Sequence, residues 1–500
     1  MKKRILILLL ALCMILPAAV ACKPGSDPGT NTGESGIPDT GTGEKAQYDQ
    51  NGFLLDDLPD DVRYGRKTVY IYAWKNVDNE FDPGEDASDQ VSYELFRRNC
   101  HVEDRFDLLL EFDQVVCDYN SQGTWVTNVE TRIMGGVEEF DLCAGYSMTM
   151  MTLARNGNLV DLGKCNYIDV SKPWYPETLM EQLNINDHIF GVSGDISLSY
   201  YGSLWFILMS DSMAEKYHLQ GNPLQDVKDG SWTIDRMLGY ASDVYFDLNS
   251  NGKDAADEFG LVVNSVGIDE FISGSRMTFI AVDDRGVFDV GADLENPTRG
   301  QELIEKLSYA LNVSDGGIFN DDSTDFENLI LSGRGLFVTT TINKLGRMRA
   351  AGLAFPYTIL PSPKFDEYQL NYSTNLGFTY SMWMIPDTGK DTDLPALVIE
   401  ALSSEGHRRV IPEFYDERVK YRFADNIESS EMFEIIRNTA WFEQSRLMYK
   451  VLEDRSMNPI SVLRSSVVKD STTWTSKIAG IRQKMAYFLR DDIAEVFRDD

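Results

Sequence analysis

Three short apolar runs alternate with two segments of helical spacing in the first third of the chain. The runs cover residues 68–74, 107–112 and 140–146 and have the length and apolar content of strands in a covered sheet. Residues 89–102 and 124–134 repeat apolar side chains three or four positions apart, which predicts helices. This order of strands and helices predicts an α/β domain with a mostly parallel sheet.

A second series of alternating elements occupies the rest of the chain. The pattern predicts strands over 203–209, 259–264, 336–339 and 379–386, and helices over 326–331, 394–402, 432–439 and 476–490. About 450 residues are too many for a single hydrophobic core, so we expect two or more lobes.

A helix followed by a metal-binding loop is predicted between the two series. Thr233 can cap a helix whose apolar positions recur from Ile234 to Tyr245. Residues 247–258 then fit the D-x-[DN]-x-[DN]-G-x5-E pattern of an EF-hand calcium loop, with Gly252 at its turn. The predicted Ca²⁺ ligands are the side chains of Asp247, Asn249, Asn251 and Glu258 and the backbone carbonyl of Lys253. A strand follows instead of a second helix, so we expect a structural calcium site; the alternative is a polar turn without metal.

The N-terminus has the layout of a secretory signal. Lys2, Lys3 and Arg4 precede an apolar run over residues 5–16, which is shorter than the roughly 20 residues that span a membrane. Residues 19–22, Ala-Val-Ala-Cys, match a lipobox, with Cys22 as the lipidated residue and 1–21 as the signal peptide. An uncleaved anchor and plain secretion are the alternatives. Each places the folded part outside the cytoplasm, and lipidation places it on the outer face of the cytoplasmic membrane.

Residues 22–58 are predicted to include the lipidated Cys and a flexible tether. They are rich in Gly, Pro, Ser and Thr, and the first twenty contain almost no aliphatic residue. Such a segment cannot bury enough apolar surface to fold.

The net charge bears on which partners the protein can bind, and the cysteines bear on whether it forms disulfides. The formal net charge is −33, which argues against nucleic acid and anionic lipid surfaces as partners. Outside the signal and the lipobox, four cysteines remain: Cys100, Cys117, Cys143 and Cys165. They permit three pairings or four free thiols, and free thiols are favoured because no C-x-x-C or Cys/His cluster occurs.

Several motifs, in order over most of the chain, resemble the extracellular solute-binding proteins of bacterial ABC importers, family 1 (carbohydrate type, maltose-binding-like). They are the first strand ending at Trp74 and segments 139–142, 157–162, 232–235, 331–337, 359–364 and 397–408. At 209–211 the chain has Met-Ser-Asp where many members have Tyr-Asn-Lys.

The resemblance implies a two-lobed periplasmic-binding-protein-like fold (type II) with hinge strands between the lobes and a ligand cleft between them. Lobe 1 would comprise 59–203 and about 374–415, and lobe 2 would comprise 204–373 and about 416–500, including the calcium loop. Crossings would lie near Ser203, Tyr372 and Asp416. The implied protein is a monomeric, non-enzymatic receptor that delivers a sugar, expected to be an oligosaccharide, to ABC permease subunits.

A sugar site needs aromatic faces for the ring and planar polar groups for the hydroxyls. The predicted ligand-binding residues are Trp74, Tyr146, Asp195, Tyr201, Trp205, Asn343, Tyr372, Asn375 and Trp383. Trp74 and Tyr146 are the strongest candidates because they lie at the ends of predicted parallel strands.

Two other classes of function stay open. No H-E-x-x-H or G-x-S-x-G motif occurs, but a carboxylate pair of a surface glycoside hydrolase could be present among 79 Asp and Glu residues. An adhesive surface lipoprotein is the third alternative.

Overall fold

The computed structural model describes residues 47–497, apart from Asp78, Ser88, Asp284, Asp425, Asn426, Ala494 and Glu495. The predicted signal peptide, the Cys22 lipidation site and residues 22–46 of the predicted tether lie outside the described residues. Within the described part of the chain, no helix combines the length and the apolar character needed to cross a bilayer.

The compact part of the chain begins at Gln47, so the predicted tether is too long at its C-terminal end. Asp56 is buried, and both of its carboxylate oxygens accept hydrogen bonds from the Arg105 guanidinium, at 2.7 and 2.9 Å. Leu58 packs into the hydrophobic core. These two side chains fix residues that composition alone assigns to a linker.

Sixteen strands form in the described residues, some of them only two residues long. They are β1 (Lys67–Trp74), β2 (Leu108–Val115), β3 (Leu142–Tyr146), β4 (Asn184–Ile185), β5 (His188–Ile189), β6 (Trp205–Ser210), β7 (Tyr245–Phe246), β8 (Glu258–Val263), β9 (Ile280–Val282), β10 (Phe288–Val290), β11 (Gly317–Phe319), β12 (Gly335–Thr341), β13 (Tyr357–Leu360), β14 (Thr374–Asn375), β15 (Ser381–Met384) and β16 (Ala440–Trp441).

The α-helices of the described residues alternate with these strands. They are α1 (Gln90–Phe106), α2 (Gln122–Met134), α3 (Met150–Arg155), α4 (Glu177–Leu183), α5 (Leu198–Gly202), α6 (Asp211–Lys216), α7 (Pro223–Lys228), α8 (Ile234–Ala241), α9 (Ile268–Gly274), α10 (Ala292–Glu295), α11 (Thr298–Ser308), α12 (Ser323–Leu331), α13 (Ile342–Ala350), α14 (Asp393–Glu405), α15 (Ile427–Asn438), α16 (Gln444–Leu447), α17 (Tyr449–Asp454), α18 (Pro459–Val468) and α19 (Trp474–Tyr487). The last residues of α14 continue into wider, π-type turns over Gly406–Val410 and Pro412–Phe423.

Two sheets organise the molecule. The first has the order β15-β3-β1-β2, with β1 parallel to both β2 and β3 and β15 antiparallel to β3. The second has the order β11-β8-β12-β6-β13, with β8, β11 and β12 parallel and β6 antiparallel to its neighbours β12 and β13. This is the α/β architecture that the alternating pattern predicts.

The chain passes from the first sheet to the second and returns to the first. It leaves through α5, enters the second sheet at β6, and returns to the first sheet at β15. Between the sheets, β14 pairs in parallel with β16, and Leu204 bridges to Leu376. These short pairings join segments far apart in the sequence.

The helix predicted before the metal loop ends earlier than its apolar spacing indicates. Thr233 caps α8 as predicted, since its side chain accepts the Arg236 N–H at 3.2 Å. The helix stops at Ala241, however, and Tyr245 lies in β7, which pairs with Phe259 of β8. Sheet pairing therefore outweighs helical periodicity at Tyr245.

Gly145 shows how closely α2 packs on the first sheet. A Cβ at this position of β3 would lie 2.6 Å from the ring of Trp125 and 3.0 Å from Thr149 Oγ1. The indole of Trp125 is fully buried, so moving it away would require its neighbours to repack.

We expect Gly145→Ala to destabilise the protein by about 1–3 kcal/mol, because the added methyl overpacks the core. Gly239→Ala is the control, since Gly239 lies on the exposed side of α8 with nothing within 4 Å of a Cβ. That substitution should stabilise by about 0.5–1 kcal/mol. Urea unfolding measures both, and equal midpoints for Gly145→Ala and the parent would contradict the packing argument.

Candidate ligand-binding cleft

A cavity of about 570 Å³ lies at the carboxyl ends of the parallel strands of both sheets. Ligands of open α/β sheets bind at such ends, where the chain leaves the strands. The cavity is lined by Asn76, Val77, Tyr119, Tyr146 and Met148 near the first sheet, by Trp205, Ser265, Val266, Thr341, Asn343, Lys344 and Arg347 near the second, by Gly377, Phe378 and Thr379 between them, and by Arg446, Tyr449 and Arg464 from the C-terminal helices.

Aromatic rings form much of the cavity wall. Tyr146 packs against the buried Trp74 with ring centroids 5.2 Å apart. Phe378 and Tyr449 meet edge to face at 5.0 Å, and Tyr119 lies 6.4 Å from Tyr449. Such rings offer flat apolar faces, while the hydroxyl and amide groups beside them offer hydrogen bonds.

The N-terminus of α13 forms the opposite wall. Thr341 caps this helix and accepts the Lys344 N–H at 3.2 Å. The side chain of Asn343 lies directly over Gly202, where a Cβ would approach its Oδ1 to 2.2 Å. Gly202 therefore gives Asn343 the space to lie at the cavity wall.

A buried ion cluster supports the part of the wall formed by the C-terminal helices. Arg446 Nη1 donates to Asp269 Oδ2 at 2.6 Å, and Arg464 Nε donates to Asp269 Oδ1 at 2.6 Å. The Arg446 guanidinium lies 3.9 Å from the ring centroid of Phe378. Burial alone would raise the pKa of Asp269, but the two arginines outweigh that effect and lower it.

Glu270, the next residue, has the opposite electrostatic character. Burial raises the pKa of its carboxyl to about 8. The hydrogen bond that Ser362 Oγ donates to Oε1 at 2.6 Å lowers this pKa, but by less than burial raises it. The neighbouring Asp269 charge raises this pKa further. Glu270 is therefore largely protonated at neutral pH.

A second cavity of about 340 Å³ lies beside α13 and shares the lining residues Asn343 and Arg347 with the first. Glu80 contributes a fully buried carboxylate to this compartment, and its Oε2 accepts the Ser199 N–H at 2.6 Å. Burial raises the pKa of Glu80. Among the described residues, Glu80 Oε1 has no hydrogen-bond partner.

Three of the nine predicted ligand-binding residues line the main cavity: Tyr146, Trp205 and Asn343. Trp74 lies behind Tyr146 and donates from its indole N–H to Ser381 Oγ at 2.8 Å. Trp383 is fully buried and donates to Ser197 Oγ at 3.1 Å. Both tryptophans belong to the core of the first sheet instead of the cavity surface.

The other four predicted residues also lie away from the cavity wall. Asp195 accepts a hydrogen bond from the Tyr201 hydroxyl and lies 2.6 Å from His407 Nδ1. Asn375 is buried and accepts from Ser273 Oγ at 3.0 Å. The Tyr372 hydroxyl donates to the Val227 carbonyl at 3.0 Å, and its ring lines a separate cavity of about 400 Å³.

Sequence reasoning missed Phe378, Tyr449, Arg446 and Arg464. The two arginines belong to short helical segments near the C-terminus, without a motif around them. Arg446 meets Asp269 across a separation of 177 residues. No local signal in the sequence identifies such a contact.

Hydrogen bonds within the predicted calcium loop hold Asp247, Asn249 and Asn251 against neighbouring loop residues. Asp247 accepts three backbone N–H groups within the loop, and the amides of Asn249 and Asn251 both contact Asp254 Oδ2, at 3.2 and 2.8 Å. The orientation of such amides follows from their hydrogen-bond partners, and a cation would turn both oxygens inward.

Glu258 is placed differently from the predicted bidentate ligand. Its carboxylate accepts both hydrogen bonds from Lys216 Nζ, at 2.6 and 2.7 Å, and a third from the Tyr217 hydroxyl at 2.7 Å. Across the described residues, no group of three or more His, Cys, Asp or Glu side chains is arranged to hold a metal. Glu258 as placed therefore does not supply the bidentate carboxylate of the predicted loop, and the calcium site stays a prediction.

The four cysteines of the described chain are free thiols. Cys117 and Cys143 are buried, and burial raises the pKa of the Cys117 thiol to about 12. A high thiol pKa makes these cysteines poor nucleophiles.

Comparison with known proteins finds similarity in structure only, since no family model and no curated protein matches the sequence. An ABC substrate-binding protein from Listeria monocytogenes in complex with cycloalternan superposes with a TM-score of 0.54 at 12% identity, over 84% of this chain and 99% of that one. The galacto-N-biose-/lacto-N-biose I-binding protein of an ABC transporter from Bifidobacterium longum gives 0.54 at 11% identity, over 86% and 98%. The maltose/maltodextrin-binding domain from Bdellovibrio bacteriovorus, bound to maltotriose, gives 0.52 at 12% identity, over 85% and 100%.

The chain has the fold of these ABC sugar-binding proteins. The two-lobed α/β architecture that the motifs imply is therefore confirmed, with the cavity at the strand ends of both sheets. The exact residue boundaries of the lobes stay a prediction.

We expect Glu270→Gln to change how stability depends on pH. Between the ordinary glutamate pKa of 4.5 and the folded-state value of about 8, the folded protein keeps a proton that the unfolded chain has released. The free energy of unfolding therefore falls as pH rises through this window. Glutamine does not ionise, so the variant should gain in Tm relative to the parent from pH 5 to pH 8. Parallel Tm curves over this range would contradict the raised pKa.

Proposed function

We propose that this protein is an extracytoplasmic receptor that binds a carbohydrate, specifically an oligosaccharide, and delivers it to the permease subunits of an ABC importer. The observation that carries the proposal is the aromatic-walled cavity at the strand ends of both sheets. Its volume of about 570 Å³ is within the range of small-molecule sites. The fold shared with sugar-binding proteins supports the same function.

Attachment through Cys22 would hold this receptor at the outer face of the cytoplasmic membrane, as a monomer. The lipobox and the polar segment that follows it support this location. The strongly negative net charge fits a body that remains off an anionic lipid surface.

A receptor is favoured over a surface glycoside hydrolase because of the side chains around the main cavity. Glycoside hydrolysis uses a pair of carboxyl groups that flank the scissile bond. Among the described residues that line the main cavity, none is Asp or Glu. A sugar held there would meet aromatic rings, amides, hydroxyls and cations.

We expect Tyr146→Ala and Trp205→Ala each to weaken carbohydrate binding about tenfold or more, which corresponds to about 1.4 kcal/mol. Each change removes a ring from the cavity wall. Tyr368→Ala is the matched control because Tyr368 is 91% exposed and does not line the cavity.

Isothermal titration calorimetry against a panel of neutral and acidic oligosaccharides measures this effect, and chromatography of the recovered sugar tests for cleavage. Equal affinities in the parent and both cavity variants would place the site elsewhere. Cleavage of the added sugar would show an enzyme.

We also propose that the loop over residues 247–258 holds a structural Ca²⁺. The ion would be held by Asp247, Asn249, Asn251 and the Lys253 carbonyl. Glu258 would bind it only if its hydrogen bonds with Lys216 and Tyr217 were broken. Calcium that binds the folded state alone stabilises it, by about 2.7 kcal/mol at a hundredfold excess over Kd.

We expect EDTA to lower the Tm of the parent and Asn251→Ala to abolish most of this calcium dependence. Asn166→Ala is the control because Asn166 is also an exposed asparagine whose amide donates to an aspartate, Asp393, at 2.8 Å. Differential scanning calorimetry with calcium and with EDTA measures the difference. A parent Tm that is the same in both buffers would rule out the ion.

A further inference from the structure

The main cavity concentrates positive charge in a protein that is strongly acidic overall. The whole chain carries 79 Asp and Glu against 46 Lys and Arg. The described residues of the cavity wall nevertheless include Lys344, Arg347, Arg446 and Arg464 and no carboxylate. The sign of charge in the wall is therefore opposite to that of the molecule.

The arginine cluster does not neutralise itself. Arg446 and Arg464 share one carboxylate, that of Asp269, so the three groups together carry one net positive charge. Glu270 could balance that charge, but its burial favours the protonated form at neutral pH. The Arg446 side chain is 1% exposed, and its Nε has no hydrogen-bond partner among the described residues. A buried donor without a partner costs free energy that a bound acceptor would recover.

Lys344 adds a second positive charge on the opposite wall. Its Nζ lies 5.0 Å from the ring centroid of Trp205, and no carboxylate of the described residues pairs with it. Burial and the nearby Arg347 charge lower its pKa, as expected for an ammonium group without a counterion. Lys344 also belongs to the first turn of α13, where the helix dipole favours an anion.

We propose that the natural solute is an acidic carbohydrate whose carboxylate or sulfate groups are bound between the N-terminus of α13 with Lys344 and the Arg446–Asp269–Arg464 cluster. This inference rests on the proposed function as a carbohydrate receptor. The rings of Tyr146, Trp205 and Phe378 would contact the sugar faces, while the cations would supply the charge complementarity. Neutral sugars of the same size would leave the net positive charge of these groups unbalanced.

The experiment measures binding of matched charged and neutral sugars to the full-length protein in detergent micelles. Oligogalacturonates of two to four units are compared with their fully methyl-esterified forms, which have the same rings without the charge. Sulfated and unsulfated chondroitin oligosaccharides form the second pair, so that a preference for carboxylate or for sulfate can be distinguished. Calorimetry at low and high NaCl supplies the affinities.

We expect at least one acidic sugar to bind tenfold or more tightly than its partner of lower charge, with an affinity that falls as salt screens the contacts. Lys344→Met should weaken binding of that acidic sugar about tenfold and weaken binding of its partner of lower charge by a smaller factor. Lys477→Met is the control, since Lys477 is an exposed lysine of α19 outside the cavity lining.

Two outcomes would overturn the inference, and they differ from each other. Neutral sugars that bind as tightly as the acidic ones, with no effect of Lys344→Met, would refute the preference for an anion and leave the carbohydrate receptor intact. Failure of every sugar to bind, or cleavage of the added glycan, would refute the receptor function itself.

Discussion

A single buried carboxylate, that of Asp269, determines how the C-terminal helices meet the second sheet. It lies in α9 and accepts hydrogen bonds from Arg446 of α16 and Arg464 of α18. The attraction within a buried ion pair offsets the free-energy cost of desolvating the two charges only when the geometry is good. Loss of one partner leaves the other charge uncompensated. Here loss of Asp269 would leave two arginines without a counterion beside the cavity, so the same contact serves both packing and the electrostatics of the cleft.

The cavity exists because the carboxyl ends of two sheets approach one another. In the first sheet, β1 and β3 are parallel, so the residues after them, Asn76 and Met148, lie on one edge. In the second sheet, β12 runs directly into α13, and β6 begins opposite the end of β12 because the two strands are antiparallel. The connections between the sheets, including β14 paired with β16, hold these edges around one volume.

The protonation states of the carboxyl groups near the cleft depend on their surroundings as well as on the residue type. Glu270 and Asp269 are adjacent in the sequence, yet the first keeps its proton and the second loses it. The difference arises because Asp269 contacts two arginines, whereas the Ser362 hydroxyl and the Arg446 charge do not offset the burial of Glu270. Two carboxyl groups in one helical turn therefore carry different charges.

The sequence by itself determined strands β1, β2, β3, β6, β8, β12 and β15 and several of the longer helices, since apolar periodicity is local and survives in the folded protein. It also identified Tyr146, Trp205 and Asn343, which lie at or next to strand ends on the cavity edge. It did not separate them from Trp74 and Trp383, because the spacing of aromatic residues is the same whether a ring faces a cavity or a core. Only the tertiary structure decided which rings face the cleft. It also paired Glu258 with Lys216, and it paired Arg446 with Asp269 across 177 residues. These choices depend on contacts between distant segments, which local periodicity does not encode.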